Sequence, residues 1–281
     1  MTPKAPSLTP YDFLGYIVPG LLFVWLIDMS IVSHYRENPI TYDDIIARYF
    51  EMKLAGIIPL MLIAYIVGHI ISFTSSVLIE RHAVWLHGNP TNVLVNNGEI
   101  KPYFQTGGKS PIASLLFRVS TVIILLPISI LDFMFGKVIP VSKNYFRPFD
   151  DLIKHAAALA IYKIMRQLKI KTQDADLEKA DIHRLGLHYS LEAAPAHVSS
   201  LRNYVVLYGF LRSLTLIIVI SSWVIIYHIN GHFVWWKVCL VSVFVCVLSF
   251  VTYAAYLKFW TRYHKEAIMA LIACTLNKSK D

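Results

Sequence analysis

The 281-residue chain is 56% hydrophobic and 16% charged, with a formal net charge of +8; soluble domains average roughly 45–50% and 25%. This balance excludes an ordinary soluble domain. The surplus of Lys and Arg matches cytoplasmic loops facing anionic lipid; no RNA- or DNA-binding motif accompanies it, so nucleic acid is not an expected partner.

In chain order, residues 1–12 carry a single cation, Lys4. The first apolar run, 13–32, is too long for a signal-peptide core. Met29-Ser30-Ile31-Val32 offers no small-x-small cleavage site, so the run is read as a retained helix. Further apolar runs follow at 54–77, 213–229 and 238–257. Crossing roughly 30 Å of hydrocarbon takes about 20 helical residues, and unsatisfied backbone groups force such segments to be helical. Four transmembrane helices in two pairs are expected.

Between the pairs lies a basic segment, 81–203, holding 15 of the 26 Lys and Arg residues. With Lys4 and the five cations from Lys258 onward, one side carries 21; the other carries Arg36, Arg48 and Lys53. The positive-inside bias therefore puts both termini and the central segment in the cytoplasm. One stretch competes with this count. Residues 119–131 are apolar and extend towards 139, yet the uninterrupted core has 13 residues and contains Pro127. Runs of this length are buried, re-entrant or interfacial more often than spanning, and a bent helix on or in the cytoplasmic leaflet is expected.

Inside the central segment, 92–95 and 99–104 flank Asn96-Asn97-Gly98, a local β-hairpin signal. From 149 to 172 the pattern turns helical. Ile153, Ala157, Ala160, Ile161, Ile164 and Leu168 form one stripe, with Asp150 and Asp151 at its start and Lys163, Arg166, Lys169 and Lys171 towards its end. Those four cations are candidate lipid or partner contacts. Another helix is expected near Tyr189, running through Pro195 or restarting after it. The last helix continues past Leu257 on a stripe of Ala267, Ile268, Leu271 and Ile272.

Ionisable groups within the spans are functional candidates by default. His69, after Gly68 in the second run, reads either as a pore-lining or proton-linked switch or as a neutral His bonded to a neighbouring helix. Asp28 and Lys237, near the outer ends of the first and fourth runs, can pair or reach the interface separately. Arg212 enters the third run and suits lipid phosphate, a pair with Glu80 or Asp28, or a gating contact. Pro19 and Gly20, with Gly15, form a kink-and-contact device that serves packing or a gate.

Catalytic signals are poor. Asp181, His183, His188 and His197 lack HExxH or zinc spacing, and Ser190 lies outside any GxSxG. Cys239 and Cys246 share a helix face in the last run, Cys274 follows, and no CxxC occurs. No enzyme, cofactor or metal site is expected.

The opening Asp12-Phe13-Leu14-Gly15-Tyr16-x-x-Pro19-Gly20 and the stretch Leu201-Arg202-Asn203-Tyr204…Leu207-Tyr208-Gly209-Phe210-Leu211-Arg212 resemble small uncharacterised bacterial inner-membrane proteins, some of them similar to membrane effectors encoded beside antiphage defence genes. The resemblance covers about 20 residues and implies a bacterial inner-membrane location and a defence role.

The expected fold is an all-α membrane protein. A helix pair (1–80) and a second pair with a helical tail (204–281) flank a mainly helical cytoplasmic insertion (81–203) containing a small β-hairpin. The expected function is a gated pore or membrane-perturbing effector, assembled as a homo-oligomer in the bilayer and controlled through the insertion by a cytoplasmic protein or small signalling ligand. The alternatives are a non-conducting anchor or sensor that docks a soluble partner, and a small transporter or lipid-processing enzyme.

Overall fold

The computed structural model describes residues 12–35, 44, 53–96, 102–105, 110–138, 146–167, 169, 188–189, 195–229 and 235–277. Every regular element among them is helical, and four helices are long and apolar enough to cross a membrane. The chain is a multi-pass membrane protein. Its residues form two compact units: Met1–Glu80, Thr121–Met134 and Gly209–Tyr253 make the first, and Arg81–Ser120, Phe135–Tyr208 and Ala254–Asp281 the second.

In the first unit, a wide π-helical turn, Phe13–Ile17, leads into α1, Val18–Tyr35. Pro19 accounts for the turn. Proline lacks an N–H, and its ring collides with the carbonyl four residues back, here Gly15. The chain widens, and the Val18 N–H bonds instead to the Phe13 carbonyl, five residues back.

Helix α2, Leu54–Ser75, buries Ala64, Gly68, Ile71 and Ser75, spaced four, three and four apart on one helical face. Gly20 meets the Ala64 backbone and Gly68 meets the Tyr16 backbone so closely that a Cβ on either glycine would overlap it. Small residues let the two backbones touch, which drives association where the solvent is itself apolar. The other face presents Ile58, Leu62, Ile66 and Phe73, each more than half exposed, and His69 lies on it between Ile66 and Phe73.

Helices α3, Arg81–His87, and α4, Pro90–Asn96, belong to the second unit. Gly88 joins them at φ 80°, with its N–H on the Val84 carbonyl at 2.9 Å; this left-handed stop suits glycine. Helices α5, Pro111–Ile124, and α6, Leu126–Val138, are bent by 88° across Leu125. Helix α7 is Asp151–Gln167.

Helices α8, Pro195–Ile229, and α9, Trp235–Asn277, have 35 and 43 residues, or about 52 and 64 Å. Both outrun a bilayer core of roughly 30 Å, and each contributes residues to both units. Ser and Thr hydroxyls in their apolar parts bond to carbonyls of the preceding turn. Thr215 donates to the Leu211 carbonyl, Ser222 to Val219 and Ser249 to Val245, at 2.6–2.8 Å.

The second unit has its own core. Leu94 of α4, Ala157, Ala160, Ile161, Ile164 and Met165 of α7, and Ile268, Leu271 and Ile272 of α9 bury one another. The amphipathic stripe of 149–172 is realised in α7, and the continuing stripe after Leu257 in α9. Leu168 and Lys171 lie outside the described residues; His188 and Tyr189 are helical, as expected near Tyr189, residues 190–194 lie outside the described residues, and a helix runs from Pro195.

The expected β-hairpin is corrected. Its first arm, 92–95, is helical within α4, and the described part of the second arm, 102–104, contains a turn. Asn97, Gly98 and the rest of that arm lie outside the described residues. The physical reason stands just upstream. Asn89 caps α4, its Oδ1 accepting from the Thr91 N–H at 3.2 Å, and Pro90 occupies the first helical position, where a missing N–H is harmless. Burial of Leu94 in the core then outweighs the local Asn-Gly preference.

Candidate functional site

The polar centre of the first unit lies where α2 ends. Ser72 and Ser75 sit one turn apart on α2, and a second π-helical turn, Ser76–Glu80, follows. On an α-helix, residues five apart point about 140° away from each other. A π turn, with its i→i+5 bond, stacks them instead. Glu80 therefore comes beneath Ser75, and both meet Arg212 of α8.

The Arg212 guanidinium pairs with the Glu80 carboxylate. Its Nε donates to Ser75 Oγ at 3.2 Å and its Nη2 to the Ser72 carbonyl at 3.4 Å. Ser75 and Ser213 share a hydrogen bond of 3.5 Å. The Arg212 side chain is 12% exposed, that of Glu80 36%. Of the partners considered from sequence, Glu80 is thus paired with Arg212. The cluster holds a cation and a carboxylate between two helices but no nucleophile set against a base, so its chemistry is that of an electrostatic clamp.

His69 lies in an aromatic group on the outside of the α1–α2 pair. Its ring stacks on Tyr16 at 3.8 Å and meets the edge of Tyr65 at 4.6 Å. His69 and Tyr65 are both exposed. Pro19 and Gly20 are buried, Gly20 in the α1–α2 seam. Asp28 is half-buried in α1, and the side chain of Lys237 lies outside the described residues.

Sequence reasoning passed over Trp223. Its indole Nε1 donates to the Ile124 carbonyl at 2.9 Å. The same residue lines an open apolar groove with Ser30, Ile31 and Tyr35 of α1 and Ile220, Val224 and Tyr227 of α8.

In the second unit, α3 carries a ring cluster. His82 Nδ1 and Tyr103 Oη share a hydrogen bond of 2.9 Å, and Trp85 meets the edges of Tyr103 and Phe117. Arg118 lies over Trp85 with its centre 5.0 Å from the ring and donates to the Tyr103 carbonyl. Burial pushes the Tyr103 phenol up to about 12, while Arg118 pulls the other way. Lys163 turns inward and donates to the Thr275 carbonyl at 2.9 Å, near the end of α9, where a cation suits the helix dipole. Arg166 and Lys169 are exposed. His197 bonds Glu266 at 3.1 Å, and His188 is exposed.

Comparison with protein-family models, curated proteins and solved structures finds no match.

Proposed function

We propose that this chain is a bacterial inner-membrane protein whose copies assemble into a gated conducting or membrane-perturbing path, in the manner of an antiphage effector. Both termini and residues 81–203 face the cytoplasm in this reading. The carrying observation is the exposed imidazole of His69. It sits six residues before Ser75 in α2, about 9 Å along the helix and so within the hydrocarbon. Ionisable side chains at that depth face a bundle interior or water, because exposure to lipid leaves polar groups unsatisfied at several kcal/mol each. A neighbouring copy or an aqueous axis at the His69 face removes that penalty.

The second unit supports the control element. It has a hydrophobic core of its own, as a module that receives a partner or ligand requires, and α8 and α9 run unbroken from it into the spans. The same core also favours the second reading, a non-conducting anchor that docks a soluble protein.

The two separate in liposomes. Purified protein reconstituted with an entrapped ion-sensitive dye should dissipate an imposed K⁺ gradient, and His69→Ala should change the rate at least several-fold. Vesicles that stay tight with the full-length protein, alone and with cytosolic extract of cells under phage attack, would overturn the conducting reading in favour of the anchor.

A further inference from the structure

Helices α5 and α6, with 14 and 13 residues, are each about 20 Å long and cannot cross roughly 30 Å of hydrocarbon alone. Their break is built by proline. In a straight helix the N–H of residue 127 would bond to the Ile123 carbonyl, but Pro127 has no N–H and its ring would strike that oxygen. The chain closes tightly instead. Leu125 donates to the Thr121 carbonyl at 2.9 Å, and the Leu125 carbonyl accepts from Ile128 at 3.0 Å and Ser129 at 2.9 Å.

Ile128 would otherwise have bonded to the Ile124 carbonyl. Trp223 takes its place, its indole N–H donating to that oxygen. Trp223 stands eleven residues beyond Arg212 in α8, about 16 Å further along the helix, well inside the apolar part of the span. The corner itself is closed to solvent: Thr121, Leu125 and Ile128 have no exposed surface. Ile123, Ile130, Phe133 and Met134 around it point outward and are about half exposed or more. Residues 121–134 belong to the unit that contains the apolar spans.

Broken backbone at membrane depth is tolerated only where protein buries it or water reaches it. We propose that 111–138 is a re-entrant element that enters and leaves the bilayer on one side, with its corner seated on α8 and Trp223 as the residue that positions it. This deepens the conducting reading, on which one part rests: that the corner forms the constriction of the path, as broken helices do in channels and transporters. The membrane placement and the Trp223 latch are independent of conduction.

The test uses the full chain with Cys239, Cys246 and Cys274 changed to Ser, single cysteines returned elsewhere, and a membrane-impermeant maleimide applied to each face of the membrane. Lys109→Cys and Lys143→Cys should label from the same face, and Ser129→Cys at the corner from neither. Adding Trp223→Phe, which keeps the ring and loses the N–H, should raise Ser129→Cys labelling at least five-fold. Labelling of 109 and 143 from opposite faces would make the pair a fifth crossing and overturn the proposal. Labelling of Ser129→Cys as fast as Lys109→Cys would also overturn it, because the corner would then stand in bulk water outside the bilayer and not seated on α8. An unchanged rate in Trp223→Phe would remove the latch. Tight vesicles alongside the predicted labelling would count against conduction alone.

Discussion

Gly68 of α2 lies against the Tyr16 backbone so closely that a β-carbon at position 68 would overlap the Tyr16 carbonyl. Four residues earlier, Ala64 meets Gly20 in the same way. The two contacts make one seam and fix the distance between α1 and α2. Gly20→Ala and Gly68→Ala should each destabilise the detergent-solubilised protein by about 1–3 kcal/mol, the usual range for overpacking. Gly209 of α8 has nothing within 4 Å of its would-be β-carbon, so Gly209→Ala should instead stabilise by up to about 1 kcal/mol through helix propensity. Thermal unfolding of the three variants checks this; equal losses at all three would contradict the seam.

Glu80 and Arg212 form a lopsided pair, the cation buried and the carboxylate partly wet. Glu80→Gln leaves the guanidinium with Ser75 Oγ and the Ser72 carbonyl, and should reduce stability by about 2 kcal/mol, the worth of a hydrogen bond to a charged group. Arg212→Gln should lose a similar amount. The double variant should lose less than the two single losses combined, because either change alone already breaks the contact. A double-mutant cycle in thermal or denaturant unfolding reads this directly, and strict additivity would show that the ion pair is energetically silent.

The helical identity of 90–96 rests on Asn89. Asn89→Ala removes the acceptor for the Thr91 N–H and should cost about 1 kcal/mol, while Asn89→Asp or Asn89→Ser should be close to neutral. Amide hydrogen exchange at Val93 and Leu94 should quicken roughly five-fold in the alanine variant. Unaltered protection there would mean that burial of Leu94 alone holds the helix.

The spans and the α7 stripe were legible because both are written in hydropathy and period, which burial enforces directly. Ile161 and Ile164 fall inside the core for the reason the pattern gives. The hairpin reading failed by weighing Asn96-Asn97-Gly98 without the Asn89-Pro90 cap seven residues earlier. Glu80 was legible only as one possible partner for Arg212; nothing local in Ser76–Glu80 announces a π turn, whose geometry depends on what the two faces must meet. Trp223 stayed hidden because a lone tryptophan inside an apolar run reads as one more large apolar side chain. Its role appears only once Pro127, nearly a hundred residues away, has freed a carbonyl.

On the conducting reading, copies of the chain meet, or enclose water, at the His69 face of α2. Flux through liposomes containing His69→Cys, in a background with the native cysteines changed to Ser, tests it most directly when a charged methanethiosulfonate reagent is added. Modification at position 69 should change K⁺ flux at least five-fold, while Ile63→Cys, exposed but about 120° round α2 from His69, should leave it unaltered. Flux that ignores modification at 69, in vesicles where labelling of that thiol is complete, would contradict it.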